Sequence, residues 1–563
     1  MPAPAPPPTG VITESLEPRV LMSRTDFVRA GDVDRSFGGG LVSVNFQETP
    51  VVAPLIAVQP DGKVVVAGST GQRAGGGERL AVARYHPDGS PDLSFGPDGA
   101  GRVSTDVMPH QETAQALAFT PDGSILVAGT SSEFGTISTS GELLLVRYTP
   151  DGLLDSTFGS GGIVITDVGE DDRVTTLLVQ PDGKPVIVGY DAFLGFNQRI
   201  VVARYQTDGA LDPTFEVDGK LLWDLPSPNE QTIAAALDPA GGIVAAIWTF
   251  DRTGDGRGLV RFGGSGTPDL TFKPPAAVSD LPVRDVAVDA DGTILLAGGS
   301  HVVALNGDGS LDRGFGRGGR ATVGFGIAAL EIAPDGRIVA SSPAQPAPQD
   351  AAPATVTVGR FEADGRPDRA FGRRGKAIVP LGEPSAQVED FAVAPDSDMY
   401  VLLRTPPAER PPLLLRLEGR TVPRFAALAR GTLRVAGTPG GDAIEVARVP
   451  AAGAAPEQME VRFNGFAQRF AFSDVHRIVV SGGGGDDVIA VSPDLAVPAT
   501  LLGGAGHDRV TGGGGRDRLG GGAGNDALFA RGGGADVLAG GPGDDRGEGD
   551  GDDVLRGVEV LPL

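Results

Sequence analysis

A four-part pattern recurs seven times along most of this chain, and it limits the fold more than any other feature does. Its most regular mark is a turn: QPDGK at Asp61, TPDGS at Asp122, QPDGK at Asp182, DPAGG at Ala240, DADGT at Asp291, APDGR at Asp335 and APDSD at Asp396. Successive spacings are 61, 60, 58, 51, 44 and 61 residues. Each turn lies between two apolar runs, as PLIAVQ and KVVVAG flank the first. Asp-Gly between such runs signals a hairpin, because both residues tolerate φ > 0. A second turn follows, as in HPDGS at Asp88, TPDGL at Asp151, QTDGA at Asp208, NGDGS at Asp308 and EADGR at Asp364. A third apolar run such as LAVARY or LLLVRY precedes it. After it come LDxxFG, as in LDSTFG and LDRGFG, and a short fourth run such as GRVSTDV or GIVITDV.

Four short antiparallel strands per repeat predict one propeller blade each. The first three strands occur seven times. The fourth is also counted seven times, but its first copy, GLVSVNF at Gly40–Phe46, precedes the first set. The last set ends near Leu417 without a fourth strand. A ring solves both: the N-terminal strand completes the last blade and leaves no open edge. The stretch LDSTFGSGGIVIT, VQPDGK, VVARYQTDGALDPTF resembles the delta-60 repeat family, which is similar to NHL-type β-propellers. The resemblance spans about Asp32 to Phe425 and implies architecture, not activity.

Insertions gather between second and third strands: GQRAGGGE, SSEFGTISTSGE, DAFLGFNQ, DRTGDGRG, SPAQPAPQDAAPA and RTPPAERPP. They share one rim of the expected ring, and the Asp-Gly turns occupy the other. Variable loops on one face of a repeat array mark a binding face; drift in loops under no constraint accounts for them equally.

The C-terminal stretch has another period. GGxGxDxUx, with U a large aliphatic, fits GGGGDDVIA from Gly482, GGAGHDRVT from Gly503, GGGGRDRLG from Gly512 and GGAGNDALF from Gly521. Weaker copies surround Asp536 and Asp545, the latter with Gly547 at the aliphatic position, and an isolated early copy surrounds Asp442. Six residues make a turn and three a short strand, so two units form one coil of about 18 residues. Asp508 is then expected to stack on Asp526, and Asp517 on Asp536. Glycine loses more backbone entropy on folding than any other residue, and stacked aspartates repel. A hard cation answers both objections, because calcium takes six to eight oxygens at flexible geometry. Asp487, Asp508, Asp517, Asp526, Asp536 and Asp545 are the candidate ligand carboxylates. Gly504, Gly506, Gly513, Gly515, Gly522 and Gly524 are the turn glycines that let carbonyls face the cation. The pattern resembles the RTX, or hemolysin-type, calcium-binding repeat. EGDGDDVLRGVE at Glu548–Glu559 spaces acids like an EF-hand loop but lacks its glycine, and reads as a terminal repeat.

The expected fold is all-β: a disordered arm (1–31), a seven-bladed propeller (32–428), a small β segment (429–481) and a parallel β-roll (482–563). With no cysteine, disulfide, thiolate-metal and cysteine-nucleophile chemistry drop out. A net charge of -25 argues against nucleic acid and anionic membrane surfaces. No apolar run approaches the roughly 18 residues of a membrane span.

His86, His110, His301, His476 and His507 are scattered, and no HExxH, GxSxG, P-loop or dinucleotide signature is present. Two function classes stay open. One is a calcium-binding extracellular or cell-surface protein, its propeller a scaffold for extracellular or cell-wall glycans or proteins. The alternative is a propeller hydrolase or lyase acting on extracellular polysaccharide, which perturbed carboxylates at the channel mouth would favour. LEPRVLMS, Leu16–Ser23, resembles the LEPRxLLS motif of planctomycete-type envelope proteins and, with the calcium repeats, implies an extracellular or surface location. No standard secretory signal is visible, and the few residues after Arg556 do not suit a type I secretion segment.

Overall fold

The computed structural model describes residues 27–560 apart from 29, 35–36, 38–39, 47–50, 71–78, 108–109, 134–140, 193–197, 226–229, 252–253, 276–277, 279, 345–353, 382–384, 407–409, 420–421, 424, 439, 451–456, 465 and 533. The LEPRVLMS motif and most of the insertions between second and third strands lie outside the described residues. The chain forms two compact units, one from residues 29–421 and one from residues 422–449 and 457–563.

The first unit is a seven-bladed propeller. Blade one runs through Val51–Val58, Val64–Thr70, Arg79–Tyr85 and Arg102–Thr105 in antiparallel order. The first strand of each blade lies beside the first strands of both neighbours, so these seven strands surround the central axis. The apolar core is correspondingly divided into seven clusters, each shared by two consecutive blades. One expectation is corrected. Among the described residues blade four has three strands, so six fourth strands exist and not seven. Pro274 and Pro275 stand where the missing strand would start, and proline has no N–H for a ladder bond.

The repeat is explained by one contact between blades. Arg84 ends the third strand of blade one and pairs with Asp92 at 2.8 Å, both buried. Its guanidinium lies 4.5 Å from the centre of the Phe95 ring. It also donates to the carbonyl of Pro150, in the second turn of blade two. Burial works against the Asp92 charge, but hydrogen bonds from Ser94 and the nearby Arg84 and Lys63 outweigh it and hold the carboxyl at about 2. Gly152 of that turn, at φ 84°, rests on Phe95, whose ring a Cβ there would strike. Arg147, Arg204, Arg261 and Arg360 repeat the arrangement, donating to Thr207, Gly264, Gly307 and Gly419. Blade five has Ala304 at the arginine position and lacks this bond.

Ring closure uses the same parts. Val42–Ser43 pairs antiparallel with Leu413–Leu417 of blade seven, through Val42 opposite Leu414. The N-terminal segment also supplies Asp34, 3.2 Å from Arg416, and Phe37, on which Gly89 of blade one rests. Arg416 then donates to Pro87 of blade one at 2.7 Å.

The second unit is a two-sheet parallel roll. Successive strands alternate between a seven-stranded and an eight-stranded sheet. In one, Leu501, Leu519, Leu538 and Leu555 stack in register; in the other, Ile489, Val510 and Leu528 do. These side chains form the single core of the roll. The β segment expected before the roll shares both its sheets: Thr432–Ala436 pairs parallel with Arg477–Gly484, and Ala443–Val449 with Val488–Val491. Antiparallel hairpins, Phe463 opposite Phe466 in one, extend the starting edge of each sheet, so that each begins with a short antiparallel strand, Ala426–Ala429 in one and Phe466–Ala471 in the other.

Truncating the inter-blade arginine strands a buried carboxylate. Arg360→Ala is expected to destabilise the propeller by about 3–5 kcal/mol, measured by denaturant unfolding. The exposed Arg366→Ala should stay within about 0.5 kcal/mol of the parent.

Candidate metal centre

In each coil of the roll the nonapeptide aspartate sits at the end of the turn, just before the short strand. Its carboxylate points back over the preceding coil, and the stacking expected from the spacing is present. In one column the N–H of Asp442 donates to Asp487 Oδ1 at 2.7 Å, Asp487 to Asp508 at 2.8 Å, Asp508 to Asp526 at 2.9 Å and Asp526 to Asp545 at 2.9 Å. In the other, Ala499 donates to Asp517 at 2.8 Å, Asp517 to Asp536 at 2.7 Å and Asp536 to Asp553 at 2.8 Å. The register that pairs the strands therefore also pairs the carboxylates.

These bonds use only one oxygen of each carboxylate. The second oxygens of Asp487, Asp508, Asp526, Asp536 and Asp545 are buried and accept no hydrogen bond. Leaving a buried acceptor unsatisfied is costly, and an unpaired buried charge more so. Asp517 differs, since Gly513 donates to its second oxygen at 2.8 Å. Burial pushes Asp487 up to about 7, and the charges of Asp508, Asp442 and Asp486 add to the effect. Burial likewise raises Asp536 to about 6, with Asp517 and Asp553 adding to it. Asp508, Asp517 and Asp526 are raised by burial as well.

The glycines define what these oxygens face. A Cβ on Gly503 would collide with Asp508 Oδ2 and lie 2.6 Å from the carbonyl oxygen of Gly521. A Cβ on Gly482 would meet Asp487 Oδ2 and the Gly503 carbonyl in the same way. A carboxylate of one coil and a carbonyl of the next thus border one small space beside each opening glycine. Gly504, Gly506, Gly522 and Gly524 have φ of 120°, 138°, 114° and 138°, and a Cβ on any of them would run into a carbonyl of the coil before. Gly513 and Gly515 are not left-handed and lie against the carbonyls of Leu495 and Val497, in a segment that is not a nonapeptide. The second column therefore starts with a different turn from the first.

Oxygen donors alone, repeated along a column, with orphaned and buried carboxylate atoms, suit a hard divalent cation of flexible coordination. Calcium, when bound, supplies the positive charge that this stack lacks. Asp487, Asp508, Asp526 and Asp545 in one column and Asp536 in the other would hold it, with main-chain carbonyls of the opening glycines. Asp517 helps to order its coil.

Two ends of the columns are less visible in the sequence. Asp442 caps one column, its carboxylate taking the N–H and hydroxyl of Thr438 and Asn464 Nδ2 at 2.6 Å. Asp553, inside the EF-hand-like spacing, ends the other column. Val558 packs against the roll core beside Gly547, where the repeat lacks its aliphatic residue. His507 is not part of the oxygen columns; its ring accepts the N–H of Asn525 at 2.9 Å.

Residues 59–95, 120–158 and 180–215 match a β-propeller domain of unknown function, DUF5122. Residues 500–528 match the family model described as RTX calcium-binding nonapeptide repeat (4 copies). No curated protein matches the chain. Among solved structures it is similar to a protein of unknown function from Dyadobacter fermentans, at 11% identity and a TM-score of 0.37 over 68% of this chain and 98% of that one. The polysaccharide lyase Uly1 gives 12% and 0.38 over 65% of this chain and 89% of that one. Regucalcin, a calcium-binding protein from Agrobacterium tumefaciens, gives 14% and 0.31 over 55% and 92%.

A methyl group in the oxygen-bordered space should act like loss of a ligand. Gly503→Ala and Asp526→Ala are each expected to weaken calcium binding to the full chain, read by isothermal titration, and to leave the propeller's unfolding transition unmoved. Equal calcium affinity in both variants and the parent would place the cation elsewhere.

Proposed function

We propose that this chain, a β-propeller followed by RTX calcium-binding repeats, is a calcium-binding extracellular or cell-surface protein. The propeller acts as a binding scaffold and the roll folds on calcium. The observation that carries the reading is the column of buried, orphaned aspartate oxygens. A stack of like charges in a glycine-rich coil has too little apolar core to order itself cheaply, and metal binding then becomes folding energy. Repeat-built calcium sites of extracellular modules work at about 10⁻⁴–10⁻³ M, which suits the outside of a cell. The envelope-type motif at Leu16–Ser23 supports the same location. The scaffold role is supported by the insertions gathered on one rim, where extracellular glycans or proteins are the proposed ligands.

The test is limited proteolysis of the full chain. With calcium at millimolar levels, residues 482–556 should resist cleavage. With EDTA they should be cut first while residues 51–417 persist as a core, and magnesium should not restore protection, because it demands tighter octahedral geometry. Identical digestion in calcium and EDTA would sink the calcium-folding reading.

One observation favours a second reading, a propeller hydrolase or lyase acting on polysaccharide. Asp285, Glu331 and Asp390 stand on the innermost strands of blades five, six and seven. Burial pushes Glu331 up to about 8, with the charges of Asp390 and Asp285 adding to it. Burial also raises Asp285 and Asp390 to about 6 each. A carboxylic acid held protonated at neutral pH is what a general acid requires. The same groups also tie blades together. Asp285 accepts the N–H of Leu330 at 2.7 Å, Glu331 that of Val393 at 2.8 Å and Asp390 that of Ile56 at 2.8 Å.

These raised values have a direction in stability. A carboxyl whose folded value lies above its unfolded one favours folding fully below about pH 4, and that contribution is lost as pH rises through the folded value. With calcium fixed, the propeller's melting temperature should fall between pH 5 and pH 8.5, and Glu331→Gln should flatten the upper part of the fall. Turnover of a polysaccharide by the parent that Glu331→Gln abolishes, with folding intact, would establish the enzyme reading; turnover by neither leaves the three carboxyls as ties between blades.

A further inference from the structure

In a chain of net charge -25, one sector of the propeller is basic. The loop between the third and fourth strands has matched positions in blades one to six, counted from Asp92, Asp155, Asp212, Asp269, Asp312 and Asp368. The next residue is Leu93, Ser156, Pro213 and Leu270 in blades one to four, but Arg313 and Arg369 in blades five and six. The second residue after the loop phenylalanine is Pro97, Ser160 and Val217 in blades one to three, but Arg317 and Arg373 in blades five and six. Arg374 follows. All five arginines are exposed, and among the described residues none of the five pairs with a carboxylate.

The two loops are neighbours. Gly316 donates to the carbonyl of Asp364 at 2.7 Å, and Gly365 rests on Phe315, so the loop of blade five abuts the second turn of blade six. Arg366, Arg369 and Arg374 border a surface cleft of about 910 Å³ together with Glu362, Pro367, Asp368 and Ala370. Three acids here face arginines, Asp368 with Arg360 at 2.8 Å, Asp364 with Arg366 at 2.9 Å and Glu362 with Arg337 at 3.6 Å, and Asp312 accepts the N–H of Gly314 at 2.8 Å. Arg374 adopts φ 58° at a position where blades two and five have Gly161 and Gly318, at 66° and 63°. A non-glycine residue there costs backbone energy with no packing in return, since the matched glycines face open space.

We propose that this arginine-rich rim of blades five and six binds an anionic polysaccharide strand through its carboxylates. Arginine presents a planar fork that fits a carboxylate with two bonds, and all six cations named on these loops are arginine. The charges are spread along two adjacent loops, which suits a strand more than a small anion. The loop phenylalanines Phe315 and Phe371 are buried beneath the loops, so the rim offers no aromatic platform for nucleic-acid bases. This rim is opposite the one that carries the insertions, and the proposal does not rest on calcium.

The full chain is titrated in EDTA-containing buffer with a polyuronate oligosaccharide, a neutral glucan, a sulfated glycan and single-stranded DNA. Binding of the polyuronate is expected, weakening severalfold between about 50 mM and 200 mM salt as ion pairs are screened, with no binding of the neutral glucan. The variant Arg313→Ser, Arg317→Ser, Arg369→Ser, Arg373→Ser, Arg374→Gly installs the residues that blade two uses at these positions. It should lose at least about tenfold in affinity and keep the parent's melting temperature. If that variant does not fold, Arg373→Ser with Arg374→Gly should still weaken binding measurably. Absence of polyuronate binding at low salt, unchanged affinity in a folded variant, or tighter binding of the sulfated glycan or of DNA would overturn the proposal. EDTA keeps the result separate from the calcium reading, which can fail or stand independently.

Discussion

A glycine seated on its neighbour's phenylalanine, with an arginine clamped across both, sets how one blade meets the next. The arginine performs three tasks at once: it neutralises a buried aspartate, covers an aromatic face and satisfies a carbonyl of the following blade. The spacing of the repeat follows, because arginine, aspartate and phenylalanine must all come from one hairpin. Burial alone would allow blades to slide, since apolar contact has no direction. The clamp supplies the direction, and the seven apolar clusters fill in around it. Blade five, with Ala304 in place of the arginine, meets blade six through packing, the phenylalanine–glycine contact and the hydrogen bonds of Gly316 to Asp364 and Leu330 to Asp285.

The roll obeys a different rule. Many of its strands are only three residues long, and its core is a line of single aliphatic side chains. What aligns the coils is the bond from each aspartate's backbone to the carboxylate of the next coil. That bond occupies one oxygen and turns the other into a buried space shared with glycine carbonyls. Alignment and cation binding are therefore the same geometry seen from two sides, and a change that spoils one spoils the other.

The ring, its closure by the N-terminal strand and the stacking of Asp508 on Asp526 were all legible in the sequence, because each follows from a period. Features without a period were not. The inter-blade arginine is hidden because its partners are an aspartate eight residues on and a carbonyl about 60 residues on. Blade four loses its last strand to two prolines that the repeat count overlooked. Residues 429–481 read as a separate segment because they hold only one isolated copy of the nonapeptide, at Asp442, yet their hydrogen bonds continue the sheets of the roll. Among the candidate ligands, Asp517 looks like its neighbours in sequence and differs only because Gly513 reaches its second oxygen. The carboxyl group at the axis is dispersed over three blades and comes together only once the ring is closed.

Ring closure has a consequence for the order in which the chain can fold. The strand Val42–Ser43 is made before any other strand of the seven blades, and its partner Leu413–Leu417 comes some 370 residues later. Contacts so distant in sequence are slow to form. A chain emerging N-terminus first must hold six blades in an open arc, with an unpacked apolar blade face at each end, until the seventh arrives. That waiting strand is only two residues long, which gives another chain little to pair with, and Asp34 and Phe37 beside it cannot engage until Arg416 and Gly89 flank the seam. The propeller is thus a structure whose first-made part is the last to be used.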